Sequence, residues 1–105
     1  VRTTQKIFSY GSLREKEVQL AILKRKLKGR SDSLIGYVKH EKVFMDKYPT
    51  IEFTGKETDK VKGILYEVSN LDLHHIDLYE SLAYARKQVV LVSGANAWVY
   101  IPNLG

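Results

Sequence analysis

The period of the apolar positions changes several times along the chain. Residues 6–10 (KIFSY) carry β-branched and aromatic side chains in a short strand-like run, and Gly11 ends it. From residue 14 to 27 the apolar positions Val18, Leu20, Ala21, Ile22, Leu23 and Leu27 recur at spacings of three and four, which predicts a helix with one broad apolar stripe. Ser12 is placed as its N-cap, Glu15 three residues on would complete a capping box, and Gly29 reads as its stop signal.

A strand-rich middle follows. Residues 33–44 (SLIGYVKHEKVF) and 50–55 (TIEFTG) read as strands around a turn at 46–49 (DKYP), and residues 56–60 (KETDK) as a polar loop. The clearest strand is 61–68 (VKGILYEV). Asn70 or Asp72 can cap a second helix reaching about Ser81, with Leu71, Ile76, Leu78 and Tyr79 among its apolar positions. Residues 85–93 and 97–101 read as two strands joined by a short hairpin turn (GAN). The order β, α, several β, α, β, β, without repeats, predicts an α+β fold with a mixed or antiparallel, strongly curved sheet.

A length of 105 residues suits a single domain spanning 1–105. With 44% hydrophobic and 28% charged residues, and no apolar run near the length of a membrane span, the chain reads as globular rather than disordered or membrane-embedded. The absence of cysteine removes disulfides, thiolate metal sites and cysteine nucleophiles. Nothing at the N-terminus reads as a secretory signal, so a cytoplasmic setting is the expectation. The net charge of +5 and the basic run KRKLKGR (24–30) point toward polyanions. That run is expected at a helix end, however, where cations are favoured, and no aromatics interleave with it, so nucleic-acid binding is disfavoured.

Two segments could carry chemistry. In FSYGSL (8–13) a strand stops at a glycine and turns at once into a helix, leaving outward-facing N–H donors suited to an anion or oxyanion. A Ser N-cap accounts for Ser12 equally well. In IDLYESLAY (76–84), Glu80 is flanked by Leu78, Tyr79, Leu82, Ala83 and Tyr84, and apolar surroundings would raise its pKa toward the range of a general base. The alternative is a solvated Glu80, or one paired with Arg86. His74 and His75 are adjacent and diverge on a helix, so no metal site is expected. Neither a P-loop nor a G-x-G-x-x-G occurs, and YGSLR is not a G-x-S-x-G elbow, so no cofactor is expected.

Taken together, FSYGSLR, VKGILYEV and DLYESLAYARKQVVLVSGANAWVYI resemble the gamma-glutamylcyclotransferase-like family, in order and spacing from about residue 7 to 101. That family includes gamma-glutamylamine cyclotransferases and the plant avirulence-induced proteins. The resemblance implies a small mixed β-barrel with helices packed outside and a cavity at its mouth. It also implies cofactor-independent cyclisation of a small-molecule γ-glutamyl amine or peptide to 5-oxoproline with release of the amine. Carried over, Tyr10, Gly11, Ser12 and Leu13 form the loop that binds the glutamyl part, and Glu80 is the acid–base group. Tyr84 and Tyr100 are expected to line the pocket or donate hydrogen bonds, Trp98 to lie in the core, and Arg86 to be a surface strand charge or the partner of an acid or of the substrate carboxylate. Ser81 stands where many members have glycine. The alternative reading is a non-catalytic binding module of the same fold. A third is an anion-binding protein that uses residues 24–30. The released amine and the oligomeric state are not legible in the sequence.

Overall fold

The computed structural model describes residues 4–44, 48–80 and 84–102. Strand β1 (Thr4–Ser9) is central in a five-stranded mixed sheet. It runs antiparallel to β5 (Lys60–Ser69) on one side and parallel to β7 (Asn96–Pro102) on the other. Strands β2 (Gly29–Ile35) and β6 (Tyr84–Val90) lie outside β5 and β7, both antiparallel. Strands β3 (Tyr37–Phe44) and β4 (Tyr48–Phe53) form a separate ribbon, with β3 lying against β5 and β4 against β7.

Alternation along the strands divides the interior into two layers. Phe8, Leu34, Tyr37, Ile51, Val61, Leu65 and Val99 pack between the sheet and the ribbon. Their strand neighbours Ile7, Tyr66, Val68 and Tyr100 point the other way, against Leu13 and the helices α1 (Lys16–Leu23) and α2 (Asn70–Glu80). The sheet curls until its two ends meet. The Val92 N–H, just beyond β6, donates to the Ser33 carbonyl of β2 at 2.9 Å, and Ser93 Oγ donates to Asp32 Oδ2 at 2.5 Å. The α+β class, the mixed sheet, its strong curvature and the helices outside it agree with the sequence reading. Among the described residues, no helix is long and apolar enough to cross a membrane.

Several boundaries differ from expectation. The first helix starts at Lys16 and stops at Leu23, where Lys24 takes the left-handed conformation at φ 63°. Ser12 does not cap it: Ser12–Arg14 form a 3₁₀ turn, and Glu15 is extended at φ −80°, ψ 131°, so the predicted capping box is not made. Buried Gln19 holds this arrangement, its Nε2 donating to the Leu13 carbonyl and its Oε1 accepting from the Leu27 N–H, both at 2.8 Å. Leu20 and Ala21, expected on the apolar stripe, face solvent. Gly29 opens β2 rather than ending the helix, so the basic run 24–30 spans a loop and a strand start instead of a last helical turn. The strand expected over 33–44 breaks at Gly36, whose φ of +89° reverses the chain. Residues 46 and 47 of the expected turn, and Ser81 at the expected end of α2, lie outside the described residues.

The second helix begins with a reciprocal cap. Ser69 Oγ accepts from the Asp72 N–H at 3.0 Å, and Asp72 Oδ2 accepts from the Ser69 N–H at 2.9 Å. Ser69, rather than Asn70, is therefore the capping residue. Arg25 grips both oxygens of Asp72, with Nη1 at 2.8 Å from Oδ1. These hydrogen bonds, the Arg25 pair foremost, outweigh burial and pull the Asp72 pKa down to about 2. Leu73 and Ile76 face inward and are buried, while Leu71, Leu78 and Tyr79 from the expected stripe are exposed. Full burial of two such aliphatic side chains stabilises by about 1.5–3 kcal/mol each, enough to seat the helix.

Close approach of β1 and β5 depends on Gly63. A Cβ there would lie 2.4 Å from the Ser9 carbonyl oxygen and 2.7 Å from Phe8 Cζ. Gly63→Ala is expected to destabilise the fold by about 2 kcal/mol or more, because the obstructing atom is backbone in the central strand. Urea unfolding of the variant beside the parent checks this.

Candidate functional site

Three chain segments converge where β1 ends, α2 ends and β6 begins. Tyr10, two residues after Phe8, turns into the inner layer and is only 5% exposed. Its hydroxyl donates to the Tyr100 carbonyl at 2.7 Å, which ties the end of β1 to β7. Gly11 follows, and a Cβ placed on it would meet Pro49 Cγ at 3.5 Å, so Pro49 forms a facing wall. The Gly11 carbonyl accepts from the Arg14 N–H and from Arg14 Nε, each at 3.1 Å. The Ser12 carbonyl accepts from the Glu15 N–H at 2.9 Å.

These bonds use the carbonyls of the turn and leave its donors. Among the described residues, neither the Ser12 nor the Leu13 N–H has a protein acceptor. The Leu13 side chain is buried against Ile7, Leu23 and Ile76, so this residue presents only its backbone to the site. Ser12 Oγ lies 2.9 Å from the Tyr79 hydroxyl, which joins the turn to the last turn of α2.

Glu80 is the last residue of α2. Leu73, Ile76, Asp77 and Glu80 follow one another at helical spacing on the inward face, so the residues that seat the helix also carry Glu80 into a half-buried position. Among the described residues its carboxylate has no hydrogen-bond or ion-pair partner. Burial alone pushes its pKa up to about 7. Burial likewise pushes the Tyr10 hydroxyl far above its ordinary value, with the neighbouring Tyr84 and Glu80 charges adding to it. Tyr100 moves the same way, through burial first and its hydrogen bond to Asp77 second. The field of Glu80 therefore reaches both Tyr10 and Tyr100. Tyr84 Oη donates to the Pro49 carbonyl at 2.8 Å and closes the side formed by β4.

The structure thus gathers Tyr10, Gly11, Ser12, the Leu13 backbone, Tyr84, Tyr100 and Glu80, all named from the sequence. Arg86 does not pair with Glu80. Its Nε lies 3.0 Å from Asp77 Oδ1, and its guanidinium stacks 4.2 Å above the half-buried Trp98 ring, which packs in the helix-side layer. The sequence reading places Asp77 in the candidate segment IDLYESLAY with Tyr79, Glu80 and Tyr84 but gives it no role; its i, i+3 spacing to Glu80, on the face shared with Leu73 and Ile76, is the signal that could have supplied one. His74 and His75 are exposed, and no cluster of metal-ligating side chains occurs among the described residues. Leu82 and Ala83, expected to flank Glu80, lie outside the described residues.

Chemically, the arrangement offers one carboxylate able to take and return a proton near neutrality. It lies near Tyr10, the residue that leads into a turn with two N–H donors unspent among the described residues.

Residues 7–104 match the family described as gamma-glutamyl cyclotransferase, AIG2-like. The fold is similar to that of the Arabidopsis thaliana protein At3g28950.1, with TM-score 0.82 and 27% identity, over 97% of this chain and 64% of that one. A second Arabidopsis thaliana protein, At5g39720.1, gives TM-score 0.83 at 23% identity, over 96% of this chain and 70% of that one. A structure titled gamma-glutamyl cyclotransferase gives TM-score 0.78 at 16% identity, over 96% and 68% of the respective chains. No curated protein sequence matches the chain.

The raised pKa of Glu80 has a consequence for stability. A carboxyl whose folded pKa is about 7 against an ordinary 4.5 binds its proton more tightly in the folded state. Stability from this group is therefore full below pH 4.5 and lost as pH rises through 7. Glu80→Gln removes that loss, so it is expected to be more stable than the parent at pH 8, by on the order of 1 kcal/mol once partial exposure is allowed for. The difference should shrink as pH falls below 4.5. Denaturant titrations at pH 8 and 4 test the sign.

Proposed function

Because the chain belongs to the gamma-glutamyl cyclotransferase, AIG2-like family, we propose that it cyclises a γ-glutamyl amine or peptide to 5-oxoproline and releases the amine. Such a substrate carries its own nucleophile. The α-nitrogen attacks the γ-carbonyl carbon, a C–N bond forms to close the five-membered lactam, and the original amide C–N bond breaks. Neither water nor an external acceptor enters the balance.

Glu80 moves the proton. As a carboxylate it takes a proton from the α-ammonium, which frees the attacking lone pair, and returns it to the departing amine nitrogen; the second proton that the α-nitrogen sheds as the lactam N–H forms follows the same route, so that the amine leaves as its ammonium. A group with a pKa of about 7 is well poised for both transfers. The turn at Gly11 supplies the other half: the Ser12 and Leu13 N–H groups meet either the oxyanion of the tetrahedral intermediate or the substrate α-carboxylate. Gly11, Pro49 and Tyr84 form the wall against which the flexible glutamyl chain folds into its attacking pose. Holding that pose supplies much of the acceleration, because the reaction is intramolecular.

The observation that carries this reading is the Glu80 carboxylate, half-buried and unpaired among the described residues, beside a turn with two unspent donors. A binding module that had lost catalysis would have no need to keep such a carboxylate without a partner. Arg86, the nearby cation expected to neutralise it, is engaged by Asp77 instead.

The wild type is expected to release 5-oxoproline from at least one member of a panel of γ-glutamyl amines and dipeptides. Its kcat/KM should fall on the acid side of pH 7, as Glu80 becomes protonated. Glu80→Gln should lower kcat by about 10²–10⁴-fold while the protein stays folded. Activity retained by that variant would overturn the assignment of Glu80.

A further inference from the structure

The last turn of α2 is where the helix has least apolar support. Its buried aliphatic contacts, Leu73 and Ile76, lie earlier, while Leu78 and Tyr79 are 61% and 44% exposed. No basic side chain stands in its last described turn to offset the helix dipole.

Asp77 is the inward-facing polar contact of this turn. Two donors from the β6–β7 hairpin converge on its Oδ1, the Tyr100 hydroxyl at 2.6 Å and Arg86 Nε at 3.0 Å. Both are held in advance. Arg86 stacks on Trp98, Trp98 Nε1 donates to Gln5 Oε1 at 3.1 Å, and Gln5 Nε2 donates to Asn70 Oδ1 at 3.0 Å, at the start of the same helix. Tyr100 works from both ends: its carbonyl takes the Tyr10 hydroxyl, next to the Gly11 turn, while its own hydroxyl takes Asp77. One residue of β7 therefore fixes the distance between the two halves of the site.

We propose that Asp77, clamped by Tyr100 and Arg86, is a positioning residue that holds the end of α2 on the β6–β7 hairpin and keeps the Glu80 carboxylate in its dry place beside the Gly11 turn. The catalytic part of this inference rests on the function proposed above; the positional part does not. The groups that feel the Glu80 charge are Tyr10 at the end of β1 and Tyr100 of β7, Tyr84 of β6 lies next to Tyr10, and Asp77 on the same helix as Glu80 is held by Arg86. Breaking the clamp frees the helix end, admits water to Glu80 and moves its carboxylate away from the bound substrate.

Two readouts test this in the full chain: the Glu80 carboxyl titration, followed by ¹³C NMR, and the steady-state constants for 5-oxoproline release. Tyr100→Phe is the decisive variant because it removes a clamp donor without altering charge; Asp77→Ala and Asp77→Asn accompany it. In Tyr100→Phe the Glu80 pKa is expected to fall from about 7 to below about 6, as solvent reaches the carboxylate. With the clamp broken, kcat should fall about 10–100-fold while KM stays within about threefold. The Asp77→Ala, Tyr100→Phe double variant should lose no more than the worse single, since both remove one contact. Asp77→Asn, which keeps an acceptor oxygen for Tyr100, should lie between wild type and Asp77→Ala. An unmoved Glu80 titration in folded Tyr100→Phe, strictly additive losses, or a raised KM with kcat unchanged would each overturn the proposal. If the wild type releases no 5-oxoproline from any substrate, the functional reading fails, and the titration in Tyr100→Phe still decides whether the clamp exists.

Discussion

Burial of carboxylates on the inward face of α2 is the constraint on which the candidate site depends. Asp72, Asp77 and Glu80 share that face with Leu73 and Ile76, so seating the helix takes all three acids away from bulk water. An unpaired buried charge is expensive, and each acid meets the cost differently. Asp72 is neutralised by Arg25 and by the cap it shares with Ser69, and its pKa drops to about 2. Asp77 takes a tyrosine hydroxyl and an arginine on one oxygen. Among the described residues Glu80 has neither, and it responds by holding its proton up to about pH 7. One helix thus carries two carboxylates held by partners and one that keeps its proton to near neutrality, and the difference lies in what surrounds each.

The sheet sets those partners through its order. With β1 central, antiparallel to β5 and parallel to β7, the end of β1 and the body of β7 run side by side, and Tyr10 reaches the Tyr100 carbonyl. The Gly11 turn therefore emerges next to the strand that supports α2. Curling of the sheet, sealed where Val92 and Ser93 meet Ser33 and Asp32, lets the β3–β4 ribbon bring Pro49 to the opposite wall. The site is an outcome of strand order and curvature as much as of its own residues.

Local signals were legible where one contact range decided them. The strand over 61–68 and the hairpin around GAN appear nearly as read, because alternation and turn chemistry act over a few residues. Glycine after Tyr10 marked the turn, whereas Leu78 and Tyr79, two of the apolar neighbours expected to shelter Glu80, are exposed, and its raised pKa comes from burial in the tertiary fold. The helix faces were less legible. Leu71, Leu78 and Tyr79 looked like the buried stripe of α2, but the helix seats on Leu73 and Ile76, and Asp72 and Asp77 turn inward because Arg25 and Arg86 await them. Ser12 and Glu15 looked like a capping box, but buried Gln19 bridges Leu13 and Leu27 and shifts the helix start to Lys16.

By itself, then, the sequence determined the α+β class, the positions of most strands and the glycine turn, all of which rest on periodicity and turn propensity. Only the tertiary structure decided which face of each helix is buried, that Asp77 takes Arg86 and leaves Glu80 unpaired among the described residues, and that Tyr100 joins the two halves of the site. Those outcomes depend on contacts between residues 9 to 90 positions apart. No local pattern fixes such contacts, because each belongs to whichever packing lowers the free energy of the whole.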